Sequence, residues 1–173
     1  MICIEIAGKR PQIASDCFVA ENATLAGDIE LSPGVSVWFG SSIRCEFERV
    51  RVGSHSNIQD NCTIHTDQGF PCVMGENVSI GHGAIIHGAV IGSNCLIGMG
   101  AVLLNGTKVG DNSIVGAGSL LTQGAEFPKR SLILGSPAKV KRPVTESEIA
   151  KIALNAKHYD HFRATYLSAK IKS

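Results

Sequence analysis

The stretch SIGHGAIIHG, residues 79–88, places two histidines, His82 and His87, five residues apart among glycines and isoleucines. A third histidine, His65, ends the stretch NIQDNCTIH. Imidazole nitrogens are common zinc ligands, and a helix that presents two of them to one ion spaces them about four residues apart. A spacing of five requires a different backbone, which the pattern of the surrounding sequence must supply.

Apolar side chains recur at every sixth residue in four runs, which are separated by short slips where a loop must bulge. The runs are Ile13, Val19, Leu25, Leu31, Val37 and Ile43; Val52, Ile58 and Ile64; Met74, Ile80 and Ile86; and Ile91, Ile97, Leu103, Val109, Val115, Leu121, Phe127 and Ile133. Glycine often follows them, and a small residue often lies four positions later. Cys17, Cys62 and Cys95 occupy that small position, which indicates buried and unreactive thiols.

A repeat of six predicts an all-β fold, a single-stranded parallel β-helix with three short strands in each coil of 18 residues. Residues 1–140 would form about six to seven such coils. Residues 141–173 would form a linker and a C-terminal helix, because Thr145 and Glu148 make a capping box and apolar residues follow at helical spacing. We expect this helix, at about residues 146–170, to lie along one wall of the prism.

The histidines fall on two walls of the predicted prism. Strands three apart lie on the same wall, so Arg44, His65 and His87 should stack in one column, one coil apart. His82 belongs to an adjacent wall, with Asp60 below it. A single chain is therefore poorly arranged to bring all three imidazoles together. A homotrimer would bring them together, because one wall of each subunit would face the adjacent wall of the next.

Such an interface would bind zinc through His65 and His87 of one chain and His82 of its neighbour. Three neutral imidazoles with one open coordination position are typical of a catalytic zinc site. Zinc lowers the pKa of a bound water to about 7 and so supplies hydroxide at neutral pH. Pairing of Arg44 with Asp60 across the interface would hold the two walls together and orient the ligands.

The sequence resembles the γ-class carbonic anhydrase family of hexapeptide-repeat proteins. The resemblance rests on the segments VWFGSSIRCE (37–46), NIQDNCTIH (57–65), IGHGAIIHG (80–88), IGMGA (97–101) and LGSPAK (134–139). It implies a left-handed β-helix and a trimer with Zn²⁺, or Fe²⁺ or Co²⁺, at the subunit interfaces. The implied reaction is the reversible hydration of CO2 to bicarbonate.

The resemblance also implies roles for individual side chains. Gln59 resembles the group that hydrogen-bonds the hydroxide, and Asn57 the group that orients it. Arg44 and Asp60 resemble the interface ion pair near the bicarbonate site. Tyr159 in the predicted helix resembles a tyrosine close to the metal pocket, which Asn155, one turn earlier, would join. The chain departs from the family pattern at three positions: Glu46 stands where the family has aspartate, Phe47 where glutamate often follows, and Asp67 is the one acid in the loop that carries a proton-shuttling glutamate in the archetype.

Charge and composition exclude several other classes of function. A formal net charge of +1 provides no field for nucleic acid or for an anionic membrane surface. We find neither a signal segment nor an apolar run of the ~20 residues that span a bilayer. The six cysteines show no CxxC pairing. The sequence therefore predicts a cytoplasmic protein with reduced thiols and no nucleic-acid or membrane partner.

Two other functions stay open at this stage. Hexapeptide-repeat proteins also include acyl-CoA-dependent acyltransferases, which use one histidine as a general base and share the LGSPAK segment. A non-enzymatic scaffold clamped by metal is the second alternative. The remaining histidines, His55, His158 and His161, have no partner in phase and are expected to face solvent.

Overall fold

The computed structural model describes residues 1–169, which form twenty strands and one helix. The strands are β1 (Ile2–Ile4), β2 (Gln12–Ile13), β3 (Phe18–Val19), β4 (Thr24–Leu31), β5 (Ser36–Val37), β6 (Ser42–Val52), β7 (Asn57–Ile58), β8 (Thr63–His65), β9 (Cys72–Met74), β10 (Ser79–Ile80), β11 (Ile85–His87), β12 (Val90–Ile91), β13 (Leu96–Ile97), β14 (Val102–Leu103), β15 (Lys108–Val109), β16 (Ile114–Val115), β17 (Leu120–Leu121), β18 (Glu126–Phe127), β19 (Ser131–Gly135) and β20 (Ala138–Pro143). The helix α1 is Glu146–Ser168.

The strands stack in parallel into three walls, which confirms the predicted β-helix and gives it seven coils. The first wall contains β1, the first halves of β4 and β6, and then β8, β11, β14 and β17. The second wall contains β2, the second halves of β4 and β6, and then β9, β12, β15 and β18. The third wall contains β3, β5, β7, β10, β13, β16 and β19.

The side chains that recur every six residues fill the interior of the prism. Those from Leu25 to Ile133 are all buried, while Ile13 and Val19 at the open first coil are only partly buried. Successive strand residues point to opposite faces, so one apolar position in each short strand is enough to build a continuous core. The periodicity prediction is therefore confirmed.

The predicted burial of the cysteines is also confirmed. Cys17, Cys62 and Cys95 belong to the core and form no disulfide. Burial raises the pKa of the Cys62 and Cys95 thiols to about 11, so both stay protonated and unreactive at neutral pH.

Residues 138–143 form a strand that the sequence analysis does not predict. This strand, β20, pairs antiparallel with β19 after the chain reverses at a cis Ser136–Pro137 peptide. This strand lies outside the sixfold repeat, so no periodic signal marks it.

Helix α1 confirms the predicted capping box and the predicted position along one wall. The Thr145 hydroxyl accepts a hydrogen bond from the Glu148 N–H, and the Glu148 carboxylate accepts one from the Thr145 N–H. The helix packs on the third wall, against β3, β5 and β10, and buries Ile152 and Ala156. It ends at Ser168, and the predicted end at Lys170 lies outside the described residues. No helix in residues 1–169 combines the length and the apolar character needed to cross a bilayer.

Candidate metal centre

Two of the three candidate ligands stack on the first wall. His65 ends β8 and His87 ends β11, and the strand register pairs them directly, with Arg44 of β6 opposite His65 one coil below. The Nδ1 atom of His65 lies 3.0 Å from Nε2 of His87. Both side chains are partly buried. The sixfold repeat thus brings residues 22 positions apart into contact.

The third candidate ligand lies on the third wall. His82 follows β10 and Asp60 follows β7, and the backbone N–H of Gly83 donates to the Asp60 carbonyl of the coil below. His82 Nδ1 lies 2.9 Å from Asp60 Oδ2. Because a carboxylate only accepts hydrogen bonds, this contact places the proton on Nδ1 and leaves Nε2 of His82 available as a ligand.

Within one chain the three imidazoles do not converge. No group of three or more histidine, cysteine, aspartate or glutamate side chains in residues 1–169 is arranged to hold a metal ion. One chain instead carries two parts of a donor set, a pair of imidazoles on the first wall and a single imidazole on the third.

The chemistry of these donors fits zinc or a similar divalent ion. Two ligands of a tetrahedral zinc with bonds of about 2.0–2.1 Å lie roughly 3.3 Å apart, close to the 3.0 Å between the facing nitrogens of His65 and His87. Metal-binding imidazoles usually have a hydrogen-bond acceptor on their second nitrogen. Asp60 supplies one to His82, and the side-chain oxygen of Asn105 lies 2.6 Å from Nδ1 of His87.

Arg44 has a partner within its own chain that the sequence prediction did not include. Its guanidinium pairs with Glu46 Oε1, and Glu46 Oε2 lies 3.1 Å from Nε2 of His65. Desolvation acts in the opposite direction, but the hydrogen bonds from Arg44 and His65 lower the pKa of Glu46. Glu46 therefore links Arg44 to the histidine pair as a charged carboxylate. The predicted pairing of Arg44 with Asp60 concerns a neighbouring chain and stays a prediction.

Gln59 and Asn57 belong to a buried chain of hydrogen bonds behind His82. The His82 backbone N–H donates to Gln59 Oε1 (3.2 Å), and Gln59 Nε2 donates to Asn57 Oδ1 (3.2 Å). Asn57 Nδ2 in turn donates to the Ser79 hydroxyl, which also accepts from Asn155 Nδ2 of α1 (2.9 and 2.8 Å). These contacts hold the Gln59 amide in one orientation and connect it to the helix.

Tyr159 of α1 borders a cavity of about 280 Å³ beside the His82 column. Trp38, Phe39, Asp60, Phe162 and Tyr166 line the rest of it. Burial, and then the nearby charge of Asp60, raise the pKa of the Tyr159 hydroxyl. The tyrosine is therefore neutral at neutral pH, in the helix that packs on the wall that carries Asp60.

Three contributors to the site carried no signal that sequence reasoning used. Asn105 lies at a turn position and Ser79 at a strand position, and many small or polar residues occupy such positions in the repeat. Glu46 differs from the family pattern, but the sequence does not indicate its partner, His65.

Among the other histidines, His158 and His161 are exposed as expected. His55 is also exposed, but its Nδ1 atom lies 2.8 Å from Oδ2 of Asp160 in α1. The position of His55 in the sixfold repeat does not indicate this partner, because Asp160 lies outside the repeat.

Comparison with known proteins agrees with this fold. The family model for the bacterial transferase hexapeptide (six repeats) matches residues 71–103 and 88–123. A protein of Methanocaldococcus jannaschii, named a probable carbonic anhydrase, is 49% identical over 91% of this chain and 99% of its own length. A carbonic anhydrase of Geobacillus kaustophilus is 41% identical over 88% of this chain and 84% of its own.

A solved structure agrees over nearly the whole chain. This Bacillus cereus protein, whose name suggests an acetyltransferase, has a TM-score of 0.96 and 33% identity over 98% of each chain. The similarity therefore covers the helix as well as the coils.

Proposed function

Because this chain belongs to the γ-class carbonic anhydrase family, we propose that it catalyses the reversible hydration of CO2 to bicarbonate. The observation that carries the proposal is the register that pairs His65 with His87 at 3.0 Å on one wall, while His82 lies on another. In a homotrimer, His65 and His87 of one protomer and His82 of the next would hold Zn²⁺, with Fe²⁺ or Co²⁺ as alternatives.

Exposed apolar side chains support the proposed trimer. Ile85 (39% exposed) belongs to β11 of the first wall, and Met99 (61%) follows β13 of the third. Phe47 (58%) lies in β6, between the segment that belongs to the first wall and the segment that belongs to the second. The first and third walls also carry the candidate ligands. A neighbouring subunit that brings the walls together would remove the three apolar side chains from water, which is favourable.

Bound zinc would lower the pKa of a water molecule to about 7 and so supply the hydroxide that attacks CO2. The residues of the chain position the reactants. Asp60 accepts a hydrogen bond from Nδ1–H of His82 and so fixes that ring. One N–H of Gln59 is used by Asn57, and the other would orient the hydroxide. Arg44 would attract the bicarbonate anion.

Metal analysis combined with hydration kinetics tests the proposal. Protein purified without oxygen and loaded in turn with zinc, iron and cobalt should contain about one metal ion per chain and hydrate CO2 in a stopped-flow assay. His82→Ala should lose most of the metal without unfolding, since the ring points away from the core. The matched control is His158→Ala, at an exposed histidine, and it should keep the metal. Full metal content in His82→Ala would contradict the assignment.

An acyl-CoA-dependent acyltransferase is the second candidate, favoured by the name of the Bacillus cereus structure. A single general base would not require a second and third histidine in matching positions. Titration with acetyl-CoA distinguishes the two functions, because saturable binding in the micromolar range would favour acyl transfer. A metal-loaded trimer that hydrates no CO2 with any of the three metals would favour the scaffold alternative.

The thiols support a reducing location. The six cysteines form no disulfide, and five of them are buried. We therefore propose that the protein acts in the cytoplasm.

A further inference from the structure

A chain of two hydrogen bonds connects the loop after His65 to the ring of His87. Asp67 lies in the loop between β8 and β9, and Asn105 lies in the turn after β14, one coil above His87. Asn105 Nδ2 donates to Asp67 Oδ2 at 3.0 Å. The Asn105 side-chain oxygen is 2.6 Å from Nδ1 of His87. The nitrogen and the oxygen of the Asn105 side-chain amide therefore each have a partner.

The chemistry of the three side chains fixes the direction of these hydrogen bonds. The carboxylate of Asp67 can only accept, so the amide nitrogen of Asn105 must face it. The amide oxygen of Asn105 then faces His87, and because this oxygen can only accept, the proton of neutral His87 must be on Nδ1. The unprotonated Nε2 of His87 faces Nδ1 of His65, whose other nitrogen, Nε2, contacts the Glu46 carboxylate. In the neutral rings both facing nitrogens therefore carry lone pairs, as two ligands of one metal ion would.

The surrounding backbone is built to admit this contact. Gly88 follows His87 with a φ of +59°, and a Cβ atom at this position would lie 2.5 Å from the Asn105 amide oxygen and 2.7 Å from Cβ of Phe70. Any side chain at residue 88 would thus displace Asn105 or the loop.

Asp67 is itself held in place by its loop. Its Oδ1 accepts from the Gln68 N–H at 2.8 Å, and its carbonyl accepts from the Phe70 N–H at 2.8 Å. The loop therefore presents the Asp67 carboxylate to Asn105 as a fixed acceptor.

We propose that Asp67 and Asn105 are positioning residues that select the Nδ1–H tautomer of His87 and so present its Nε2 atom for metal binding. The purpose of this selection rests on the proposed function, but the tautomer is a property of the metal-free chain. The short loop after His65 thus acts on His87 from the far side of the ring. In a histidine-ligated metal site, the loss of such a second partner weakens metal binding by about 10- to 100-fold.

Nitrogen NMR of the metal-free protein tests the tautomer directly. In protein labelled with ¹⁵N-histidine, long-range ¹H–¹⁵N correlations should show His87 as the Nδ1–H form. Asn105→Leu, which keeps the size and removes both hydrogen bonds, should shift His87 toward a mixture or toward the Nε2–H form. Asp67→Asn should have a smaller effect, because the new amide can still accept from Asn105.

Competition with a chromogenic zinc chelator provides the second measurement. We expect Asn105→Leu to bind zinc about 10- to 100-fold more weakly and Asp67→Asn to lie between it and the unchanged protein. Asp111→Asn is the matched control, because the Asp111 carboxylate also accepts a backbone hydrogen bond, from Ser93, on an exposed turn. This control should leave both the tautomer and the zinc affinity unchanged.

An Nε2–H tautomer in the unchanged protein, or an Nδ1–H tautomer that survives in Asn105→Leu with the fold intact, would overturn the proposal. These outcomes are separate from a failure of the proposed function. Zinc retained by His82→Ala would reject the shared metal site and leave the tautomer result standing.

Discussion

At the scale of single residues, the orientation of Gln59 connects the buried interior to the candidate site. Its oxygen accepts from the His82 backbone and its nitrogen donates to Asn57, so the amide cannot turn over without losing both contacts. The nitrogen keeps one N–H that is not used by Asn57. This remaining donor is the group expected to act on the hydroxide.

We expect Gln59→Ala to lower kcat for CO2 hydration by about tenfold, the effect of one lost hydrogen bond of roughly 1.4 kcal/mol, while metal content stays unchanged. Stopped-flow kinetics and elemental analysis of the same preparation measure both quantities. Gln123→Ala, at an exposed turn position, is the control and should change neither. An equal loss of metal and turnover would show that Gln59 supports the ligands instead.

The sequence predicts part of this residue-scale picture. The stacking of His65 on His87 and of His82 on Asp60 follows from the repeat, because a fixed coil length determines which residues lie above one another. The contact of Asn105 with His87 depends on the conformations of a loop and a turn, which no period specifies.

At the scale of elements, the glycine after the inward position of a strand allows neighbouring coils to approach. A Cβ atom at Gly98 would lie 2.4 Å from the backbone nitrogen of Ala117 in the next coil, although the backbone angles of Gly98 suit any residue. Gly118 is the opposite case, since it has a φ of +65° and no atom within 4 Å of an added Cβ.

Gly98→Ala should therefore lower the free energy of unfolding by about 3 kcal/mol, because two coils must separate. Gly118→Ala should cost only about 1 kcal/mol, the strain of a left-handed alanine. Chemical denaturation of both variants measures the difference. Equal effects would mean that backbone angle, and not the approach of the coils, determines the need for glycine at position 98.

The start of α1 should make stability depend on acid pH. Hydrogen bonds from Arg142, and then from Thr145, hold the pKa of Glu148 well below its ordinary value of 4.5. A carboxyl group whose pKa is lower in the folded than in the unfolded state stabilises the fold. This contribution is complete when the pH is above the pKa of the unfolded state, and it is lost as the pH falls below about 4.5 toward the folded pKa.

The difference in Tm between the unchanged protein and Glu148→Gln should accordingly be constant near neutral pH and shrink as the pH falls below about 4.5. Thermal unfolding followed by circular dichroism over this range measures it. Glu21→Gln, at an exposed turn, is the control. A difference that does not change with pH would contradict the contribution assigned to the charged Glu148 carboxylate.

The elements illustrate where sequence reasoning succeeds and where it stops. The capping box and the start of α1 at Glu146 are local in the sequence and were predicted, whereas β20 is defined by its pairing with β19 and was not. Pairing partners outside a repeat are chosen by tertiary contacts, which a local pattern does not contain.

At the scale of the whole molecule, the prism divides the candidate ligands between two walls, and only an assembly could complete the site. The exposed Ile85 and Met99 belong to the same two walls, and the exposed Phe47 follows the first-wall segment of β6. The sequence predicts this division because the wall of each residue follows from its place in the repeat. It does not contain the geometry of the subunit contact, which depends on the surfaces of two chains.

Complementation between two inactive variants tests the shared site most directly. His82→Ala and His87→Ala should each bind little zinc alone. When the two are produced together and form mixed trimers, about a quarter of the interfaces should pair an intact His65–His87 wall with an intact His82. We therefore expect zinc content to return to about a quarter of that of the unchanged protein. Mixed trimers that recover no zinc, or an 18.2 kDa monomer in solution, would contradict a metal site shared between subunits.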